Sequence, residues 1–350
     1  MAKSRHDTMR FYHHKPMHPH NTLALQARAD AFACVTNDDE LLEALAWARA
    51  KGVDVVVLGQ GSNIVLAGDV QALVVQQAMR GIERLDASNG DVIVRVAAGE
   101  NWHELVQWTL QQGYYGLENL ALIPGTVGAS PIQNIGAYGV ELQSVLLQVH
   151  ARQIADDKLI TLDNAACQFS YRDSLFKHQF KDQLVITAID IQLSRRSNVN
   201  ISYPALADFF NEHPHIEPTP QAVFDAVVSI RRSKLPDPAV EPNAGSFFKN
   251  PVLAAEVAQL LLGKYPHLPC FPQVDGSVKV SAAWMIDQCG WKGYRTHDVG
   301  VHPQHALVLV NYGSGSGAQL LALSSEIVTS VYDAFGVALE IEPRIYGLKP

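Results

Sequence analysis

The sequence predicts an α+β fold arranged in two domains. Its 350 residues exceed the usual length of a single domain, and 47% of them are apolar, which is enough for a sizeable core. Predicted helices and strands mix in the first half without the regular strand–helix–strand repeat of a parallel sheet. Pro214, Pro218 and Pro220 lie close together and predict a boundary or linker after that half.

Apolar periodicity predicts the elements of the first half. Residues 37–51 form an amphipathic helical pattern, and 53–58 form a short apolar run that is typical of a buried strand. Asn101, with Glu104 three positions later, predicts the start of a second helix by a capping pair. The remaining predicted strands are 92–97, 145–154, 159–162 and 185–193.

A helix that we expect to connect the two domains opens the second half. Pro220 stands at its first position, an apolar stripe runs along 223–230, and Arg231, Arg232 and Lys234 form its basic end. Further helices are predicted at 281–289 and 316–335, and further strands at 306–310 and 337–341.

The stretch from Gly116 to Leu142, GLENLALIPGTVGASPIQNIGAYGVEL, is the most informative part of the chain. Its five glycines disfavour a helix interior, and its apolar character is unusual for a solvent-exposed linker. Dense glycine lets a backbone approach a ligand closely, and we expect Thr126, Ala129 and Ser130 to add free N–H donors and hydroxyls. The stretch therefore predicts a loop around a partly apolar ligand with phosphates; a buried crossing of tight turns is the alternative.

A second glycine-containing loop, GQGSN at 59–63, follows the predicted strand at 53–58. It is not a dinucleotide-binding fingerprint, because Ile64 replaces the third glycine and no acidic residue stands about twenty positions later. Consecutive backbone N–H groups in this loop can still hold a phosphate as a nest. Two glycines after a strand do not decide this on their own.

Two blocks outside these loops place polar residues in irregular segments. In YRDSLFK at 171–177, Arg172 stands between aromatic residues, and a surface ion pair with Asp173 is the alternative explanation. In NAGSFFKNP at 243–251, Ser246 lies on a predicted tight turn backed by two phenylalanines. The block lacks the elbow and the His–acid partners of a hydrolase nucleophile, so we expect Ser246 to donate a proton or a hydrogen bond.

Glu342 is a candidate near the end of the chain. It follows the predicted strand at 337–341 and is fixed by the next residue, Pro343. Its carboxylate either has a function or forms an ion pair with Arg344 at the rim of the fold.

Composition excludes several classes of function. A net charge of −8 without a basic face argues against nucleic acid as a partner, and no apolar run reaches membrane-spanning length. The four cysteines form no Cys-x-x-Cys motif, which indicates reduced thiols in a cytoplasmic protein and no metal site. The histidine-rich start, 1–20, predicts a disordered tail, with metal binding there as the alternative.

Taken together, the blocks resemble the UDP-N-acetylenolpyruvoylglucosamine reductases, also called UDP-N-acetylmuramate dehydrogenases. The resemblance runs from about Asn21 to Gly347. It is most specific in GQGSN, in LIPGTVGASPIQNIGAYG at 122–139, in YRDSLFK and in NAGSFFKNP. Tyr203, in a loop before the second domain, is similar to the tyrosine loop of the larger type of this family.

The resemblance implies a domain organisation. An FAD-binding domain of the vanillyl-alcohol-oxidase-like, PCMH-type class is expected at 21–200, followed by a smaller α+β domain that binds the UDP-sugar. The expected parts are a tail at 1–20, FAD subdomains at about 21–87 and 88–200, the tyrosine loop and linker helix at 201–234, the UDP-sugar domain at 235–335 and a strand at 336–350 that returns to the FAD domain.

The resemblance also implies a reaction. The enolpyruvyl ether of UDP-N-acetylglucosamine enolpyruvate would be reduced to the lactyl ether of UDP-N-acetylmuramate, a step of peptidoglycan precursor synthesis. NADPH would donate the hydride, non-covalent FAD would carry it, and the protein would be a cytoplasmic monomer. Another FAD-dependent oxidoreductase of the same fold, or a non-catalytic sugar-nucleotide-binding protein, is the alternative.

Residue roles follow from the same resemblance. Arg172 would grip the substrate carboxylate, Ser246 would donate the proton to carbon, and Glu342 would assist. The FAD-binding residues would be Gly59, Gly61, Ser62, Asn63, Ile123, Pro124, Gly125, Gly128, Ala129, Ser130, Gly136 and Tyr138. The substrate-binding residues would be Tyr203, Lys234, Asn250 and Lys292.

Overall fold

The computed structural model describes residues 9–85 and 91–348. Within these residues the helices are α1 (Asp38–Lys51), α2 (Trp102–Gln111), α3 (Pro204–Glu212), α4 (Pro220–Lys234), α5 (Ala255–Lys264), α6 (Ala282–Gln288) and α7 (Gly317–Phe335).

The strands of the described residues are mostly short. They are β1 (Tyr12–Pro16), β2 (Arg28–Val35), β3 (Val55–Leu58), β4 (Ile64–Leu66), β5 (Val70–Gln77), β6 (Ile82–Leu85), β7 (Asp91–Ala97), β8 (Gly136–Ala137), β9 (Val140–Glu141), β10 (Leu146–Gln153), β11 (Leu159–Asp163), β12 (Leu184–Ser194), β13 (Asn243–Ser246), β14 (Val252–Leu253), β15 (Cys270–Pro272), β16 (Val278–Val280), β17 (Val299–Val301), β18 (Val308–Asn311) and β19 (Arg344–Tyr346).

The chain divides into two compact units. Unit 1 comprises the residues up to Lys15, Ala29–Gln60 and Gln71–Arg231, and unit 2 comprises Pro16–Arg28, Gly61–Val70 and the chain from Arg232 onward. The chain passes from unit 1 to unit 2 for the last time inside α4, the helix that the sequence predicts as a connection.

Unit 1 contains two larger sheets with helices packed against them. The first has the order β1-β2-β5-β3, and β3 runs parallel to β5. Its core joins Leu41 and Leu45 of α1 to Leu73 and Val75 of β5. The second sheet is antiparallel, with the order β11-β10-β12-β7-β6, and it buries Trp102 of α2.

Local capping chemistry explains why the two helices of these sheets begin where the sequence predicts. The side chain of Asn37 accepts the N–H of Glu40 at 3.0 Å, and that of Asn101 accepts the N–H of Glu104 at 3.0 Å. α1 ends at Gly52, whose left-handed φ of 65° is the usual conformation of a helix C-terminal glycine.

Unit 2 contains three small sheets and the long helix α7. The sheets have the orders β13-β18-β17, β14-β16-β15 and β19-β4. α7 begins with a reciprocal capping box between Ser316 and Gln319, and it buries Leu320, Ile327 and Val331, as the sequence predicts. Its start also lies against β4, because a Cβ on Gly317 would stand 2.0 Å from the carbonyl oxygen of Leu66.

The start of the chain differs from the predicted disordered tail. Residues 1–8 lie outside the described residues, but β1 pairs with β2, and the side chain of Met17 is 1% exposed. Phe11 stacks on Trp47 of α1 with ring centroids 4.8 Å apart. The apolar residues between the histidines therefore order this segment by long-range pairing, which local composition does not reveal.

The end of the chain also differs from the prediction. The strand predicted at 337–341 is absent from the described structure apart from a bridge between Ile341 and Phe248, and β19 begins only at Arg344. Glu342 therefore precedes the last strand. β19 runs parallel to β4, a strand within the span assigned to the FAD domain from the sequence, and both strands belong to unit 2.

The close approach of α7 and β4 generates a prediction about stability. We expect Gly317→Ala to lower the free energy of unfolding by about 2 kcal/mol, because its Cβ would overlap a backbone carbonyl that cannot rotate away. Urea denaturation measures this. Gly263→Ala in α5, where a Cβ meets nothing within 4 Å, is the matched control and should stabilise by about 0.5–1 kcal/mol. Equal effects of the two changes would contradict the packing argument.

Candidate active site

The two glycine-containing loops of the sequence meet in unit 1. A Cβ on Gly59 would lie 2.4 Å from Oγ1 of Thr126, so only glycine allows this approach. The N–H of Trp102 donates to the carbonyl of Gly125 at 3.0 Å, and the N–H of Val127 donates to that of Glu100 at 2.9 Å. The start of α2 therefore holds the 125–130 segment beside the end of β3.

Most polar groups of the 125–130 segment are already used inside the protein. The N–H of Gly128 donates to Ala98 at 2.8 Å, and the N–H of Ala129 donates to Thr126 at 3.1 Å. The hydroxyl of Ser130 donates to Val127 at 2.6 Å and is buried. The expectation of free donors at Ala129 and Ser130 is therefore wrong, because the short helical turn at 127–133 satisfies its own backbone.

The predicted FAD-binding residues of these loops differ in their solvent exposure. Pro124 and Ala129 are exposed, whereas Gly125 and Ser130 are buried. The partly exposed candidates of unit 1 are Gly59, Ile123, Gly128, Gly136 and Tyr138. The surface of these loops is thus formed by apolar side chains, glycine Cα atoms and one phenol, which suits a flat aromatic ligand better than a bare phosphate.

The GQGSN loop crosses from unit 1 into unit 2 after Gln60. In unit 2, a Cβ on Gly61 would lie 2.1 Å from the carbonyl oxygen of His20, and Gly61 accepts the N–H of Thr22 at 3.1 Å. Gly61 is buried by this contact. Packing against the chain start therefore explains this glycine, while Ser62 and Asn63 stay partly exposed.

Arg172 is held in a strained conformation beside the β8–β9 hairpin. Its φ of 54° is left-handed, which costs a non-glycine residue about 1 kcal/mol or more. Nη2 of Arg172 donates to the carbonyl of Gly136 at 2.7 Å, and Nζ of Lys177 donates to the carbonyl of Arg172 at 3.2 Å. Asp173 pairs with His178 at 2.7 Å.

Asn119 is a buried residue of this region that sequence reasoning missed. Its Nδ2 donates to the carbonyl of Tyr138 at 2.9 Å and to that of Asn200 at 2.8 Å. The second bond ties down the segment that carries Tyr203, whose ring meets that of Tyr138 edge-on with centroids 5.3 Å apart. The sequence feature that could have indicated Asn119 is its position as the one amide side chain in the mostly apolar segment LENLAL.

In unit 2, backbone hydrogen bonds bring Ser246 and Glu342 onto neighbouring segments. The N–H of Glu342 donates to the carbonyl of Phe247 at 2.9 Å, and the N–H of Phe247 donates to Leu307 at 2.7 Å. Ser246 lies in β13 opposite Val308, after a bulge. The predicted tight turn is therefore a bulged strand, and a hydroxyl and a carboxyl are placed on adjacent segments.

Lys249 follows Ser246 in sequence but is engaged elsewhere. Its ammonium forms an ion pair with Glu340, and its N–H donates to the carbonyl of Glu340 at 2.9 Å. Phe247 and Phe248 are almost completely buried beneath this pair of segments. The aromatic residues therefore fix the backbone next to Ser246, as the sequence suggests.

Cationic side chains collect around His305 in unit 2. Burial lowers the pKa of His305 to about 4, together with charge repulsion from His302, Lys234 and Lys292. Nζ of Lys292 also lies 3.3 Å from Asp287. His305 itself is therefore neutral at neutral pH.

Asn250 contacts the start of α6. Its Oδ1 accepts the N–H of Ala282 at 2.9 Å, which orients the side-chain amide. In the part of the chain that the structure describes, no cluster of His, Cys, Asp and Glu is arranged to hold a metal ion. Among the same residues, no helix has both the length and the apolar character needed to cross a membrane.

Comparison with known proteins decides the family. The model described as the UDP-N-acetylenolpyruvoylglucosamine reductase C-terminal domain matches residues 237–346, and the FAD binding domain model matches 29–163. A UDP-N-acetylenolpyruvoylglucosamine reductase of Chromobacterium violaceum is 49% identical, across 97% of this chain and 99% of its own. One of Pseudomonas putida is 44% identical, across 97% and 100%. The chain belongs to the UDP-N-acetylenolpyruvoylglucosamine reductase family.

A solved structure supports the same fold. The reductase of Thermus caldophilus covers 97% of this chain and 98% of its own with a TM-score of 0.65, at 23% identity. The predicted α+β fold class, with an FAD-binding domain and a second domain, is confirmed. Membership of the reductase family also confirms an oxidoreductase that uses FAD and NADPH.

The residues of this chain fit an FAD molecule. The glycine-only contact between Gly59 and Thr126 joins the two loops, and Ile123, Pro124 and Ala129 reach the surface with apolar side chains that suit an isoalloxazine ring. None of the candidate loop residues is a His or a Cys, so they offer no group for covalent attachment.

The bridging amide of Asn119 generates a prediction. Asn119→Asp replaces two N–H donors by a carboxylate that faces two carbonyl oxygens, and we expect the unfolding free energy to fall by about 2–3 kcal/mol. Hydrogen exchange of the 198–203 backbone should also become faster, because its anchor is lost.

Asn164→Asp is the matched control for this change. Asn164 likewise donates from Nδ2 to two carbonyls, those of Gln143 and Leu146, both at 2.8 Å. It should destabilise the protein without changing exchange at 198–203. Unchanged exchange in Asn119→Asp would show that Asn119 does not hold the Tyr203 segment.

Proposed function

We propose that the chain reduces the enolpyruvyl ether of UDP-N-acetylglucosamine enolpyruvate to the lactyl ether of UDP-N-acetylmuramate, with Arg172, Ser246 and Glu342 as catalytic residues. The observation that carries this proposal is the 2.9 Å hydrogen bond from the N–H of Glu342 to the residue after Ser246. It places an acid and a proton donor on adjoining segments, as protonation of an activated carbon requires.

Arg172 would stabilise the charge that develops in the substrate. When bound, FAD supplies the hydride that it has accepted from NADPH. Hydride addition to the terminal carbon of the enol ether leaves negative charge on the neighbouring carbon and its carboxylate. A permanently charged guanidinium suits that carboxylate, and its strained backbone fixes its position before the reaction begins.

Ser246 would deliver the proton to the neighbouring carbon. A serine hydroxyl is a weak acid, but a strongly basic carbon centre can take its proton when the two are held together. Glu342 would assist, either by hydrogen bonding or by acting as an acid at the substrate carboxylate. Lys249 does not supply this proton in our proposal, because its ammonium is paired with Glu340.

The FAD-holding residues would act in two ways. Ile123, Pro124, Ala129, Gly136 and Tyr138 reach the surface of unit 1 and would line the cofactor. The buried candidates would support these loops from behind; they are Gly61, Gly125 and Ser130. Gly59, Ser62, Asn63 and Gly128 are partly exposed and would approach the cofactor through backbone atoms.

The cationic region of unit 2 would bind the nucleotide diphosphate. Lys234 and Lys292 both act electrostatically on His305, so their charges converge on one place. Asn250 would add a hydrogen bond from its oriented amide. Tyr203, whose phenol is exposed in unit 1, would also bind the substrate.

We also propose that the protein acts in the cytoplasm as a monomer. Its four cysteines are free thiols, as a reducing compartment favours. Burial raises the pKa of the Cys167 thiol to about 12, which keeps that residue unreactive.

The function is tested with Ser246→Ala under anaerobic conditions. We expect NADPH to bleach the flavin absorbance as in the parent protein, and the enolpyruvyl sugar to restore it roughly 10²–10⁴-fold more slowly. Ser277→Ala, which removes an exposed hydroxyl bound to Asp275, is the control and should change neither step.

Each other outcome has a distinct meaning. Ser246→Ala that reoxidises as fast as the parent would remove Ser246 from the reaction. A parent flavin that NADPH bleaches but the enolpyruvyl sugar never reoxidises would favour another FAD-dependent oxidoreductase. Tight binding of the UDP-sugar without NADPH consumption would favour a non-catalytic binding protein.

The diphosphate site is tested with Lys292→Met. Loss of one cation should raise KM for the enolpyruvyl sugar about tenfold with little change in kcat, since the diphosphate is bound equally before and during the reaction. The control is Lys264→Met at the end of α5, which should leave both constants unchanged. A fall in kcat at constant KM would assign Lys292 a different role.

A further inference from the structure

The β8–β9 hairpin of unit 1 turns at Tyr138 and Gly139. Both residues have a positive φ, of 48° and 81°, as a two-residue type I′ turn requires. Glycine adopts this conformation freely, whereas a tyrosine is strained in it and has to be held by its surroundings. The strands do not use the carbonyl groups of the two turn residues, so these groups can accept hydrogen bonds from other segments.

The tyrosine segment, which we define as residues 199–203, packs on this turn. A Cβ on Gly139 would lie 3.7 Å from Nδ2 of Asn200 and 3.8 Å from Cβ of Tyr203. Nδ2 of Asn200 also donates to the carbonyl of Gly139 at 3.4 Å. The ring of Tyr203 meets that of Tyr138 edge-on, which is a favourable arrangement of two aromatic rings. The tyrosine segment is therefore in contact with the hairpin through backbone and side chains.

One buried amide joins the hairpin turn to the tyrosine segment. Asn119 is 2% exposed, and its Nδ2 donates to the carbonyl of Tyr138 at 2.9 Å and to that of Asn200 at 2.8 Å. An amide nitrogen carries two hydrogens, so both are used. The backbone beside Asn119 is itself held, because Nε1 of Trp102 donates to the carbonyl of Leu120 at 2.9 Å. Asn119 thus fixes the distance between turn and segment from a rigid support.

The tyrosine segment is also held from within. Oδ1 of Asn200 accepts the N–H and the hydroxyl of Ser202, at 3.0 and 2.7 Å, in a side-chain turn typical of asparagine. The carbonyl of Tyr203 accepts the N–H groups of Leu206 and Ala207 at the start of α3, and Leu206 is completely buried. The backbone of Tyr203 is therefore held by Asn200 before it and by α3 after it.

The same hairpin supports the side chain of Arg172. Nη2 of Arg172 donates to the carbonyl of Gly136 at 2.7 Å, and a Cβ on Gly136 would lie 3.2 Å from Nη1. The guanidinium thus lies directly on β8, while the phenol of Tyr203 lies at the turn that follows. One short hairpin positions two of the groups that the proposed function assigns to the substrate.

We propose that Asn119 and Asn200 are positioning residues that hold the phenol of Tyr203 in its substrate-binding position beside Tyr138. This inference rests on the proposed function, because that function gives Tyr203 its contact with the substrate. The two asparagines act by raising the fraction of the protein in which the tyrosine segment lies on the hairpin. For a ligand that needs this arrangement, the apparent Kd equals the intrinsic Kd divided by that fraction.

The test compares Asn119→Ala and Asn200→Ala with one matched control each. Asn164→Ala removes another amide that donates to two carbonyls, and Asn198→Ala truncates an exposed asparagine next to the tyrosine segment. The Kd of the enolpyruvyl sugar is measured on the FAD-loaded protein from the change in flavin absorbance, together with KM and kcat. We expect both test variants to raise Kd and KM about tenfold with kcat within about twofold of the parent, since bound substrate restores the arrangement. The controls should change none of the three.

A double-mutant cycle with Tyr203→Ala separates positioning from general stabilisation. If Asn119 acts through the phenol, Asn119→Ala should raise Kd in the parent but not in protein that already carries Tyr203→Ala. An equal effect in both backgrounds would mean that Asn119 supports the site through other contacts, and it would overturn the proposal. A Kd that neither Asn119→Ala nor Asn200→Ala changes would overturn it as well.

Hydrogen exchange tests the proposal independently of substrate binding. Asn200 is partly exposed, so we expect Asn200→Ala to stay folded and its amides at 199–203 to exchange faster than those of Asn198→Ala. Exchange as slow as in that control would contradict the proposal. A parent protein that does not bind the enolpyruvyl sugar would contradict the proposed function instead, and the exchange rates alone would then decide whether the two asparagines hold the tyrosine segment.

Discussion

The contact between Gly59 and Thr126 is the constraint on which the candidate active site of unit 1 depends. It leaves no room for a Cβ at position 59, so the end of β3 and the glycine-rich segment can approach this closely only with glycine there. Hydrogen bonds from Trp102 and Val127 then extend the contact to the start of α2. Two segments that are far apart in sequence therefore adjoin, and glycine at this position has a steric reason.

Local chemistry made the helices predictable from the sequence, whereas long-range pairing made the chain ends unpredictable. α1, α2 and α7 begin beside Asn37, Asn101 and Ser316, whose side chains accept N–H groups within the same turn. β1 is ordered because it pairs with β2, and the last strand begins only at Arg344 because it pairs with β4. Both partner strands lie elsewhere in the chain. No local pattern contains that information.

In the candidate site, too, local features could be predicted from the sequence and long-range contacts could not. The blocks around Arg172, Ser246 and Glu342 could be recognised from the sequence, because each has an unusual residue order. Which donors are already used could not be recognised, since Ala129 donates inside its own turn and Asn119 donates to a segment 81 residues later. Hydrogen-bond accounting needs coordinates, because each buried donor must be matched to one particular acceptor.

Clustered positive charge links stability to ligand binding in unit 2. Burial lowers the pKa of His305, and Lys234, Lys292 and His302 all contribute by charge repulsion. Such arrangements weaken the ligand-free fold by repulsion and desolvation. An anion that binds only the folded state returns this free energy, by about 2.7 kcal/mol when its concentration is 100 times Kd. The cations therefore make the folded protein depend on the ligands that it binds, and the same charges that select an anionic substrate limit the stability of the empty protein.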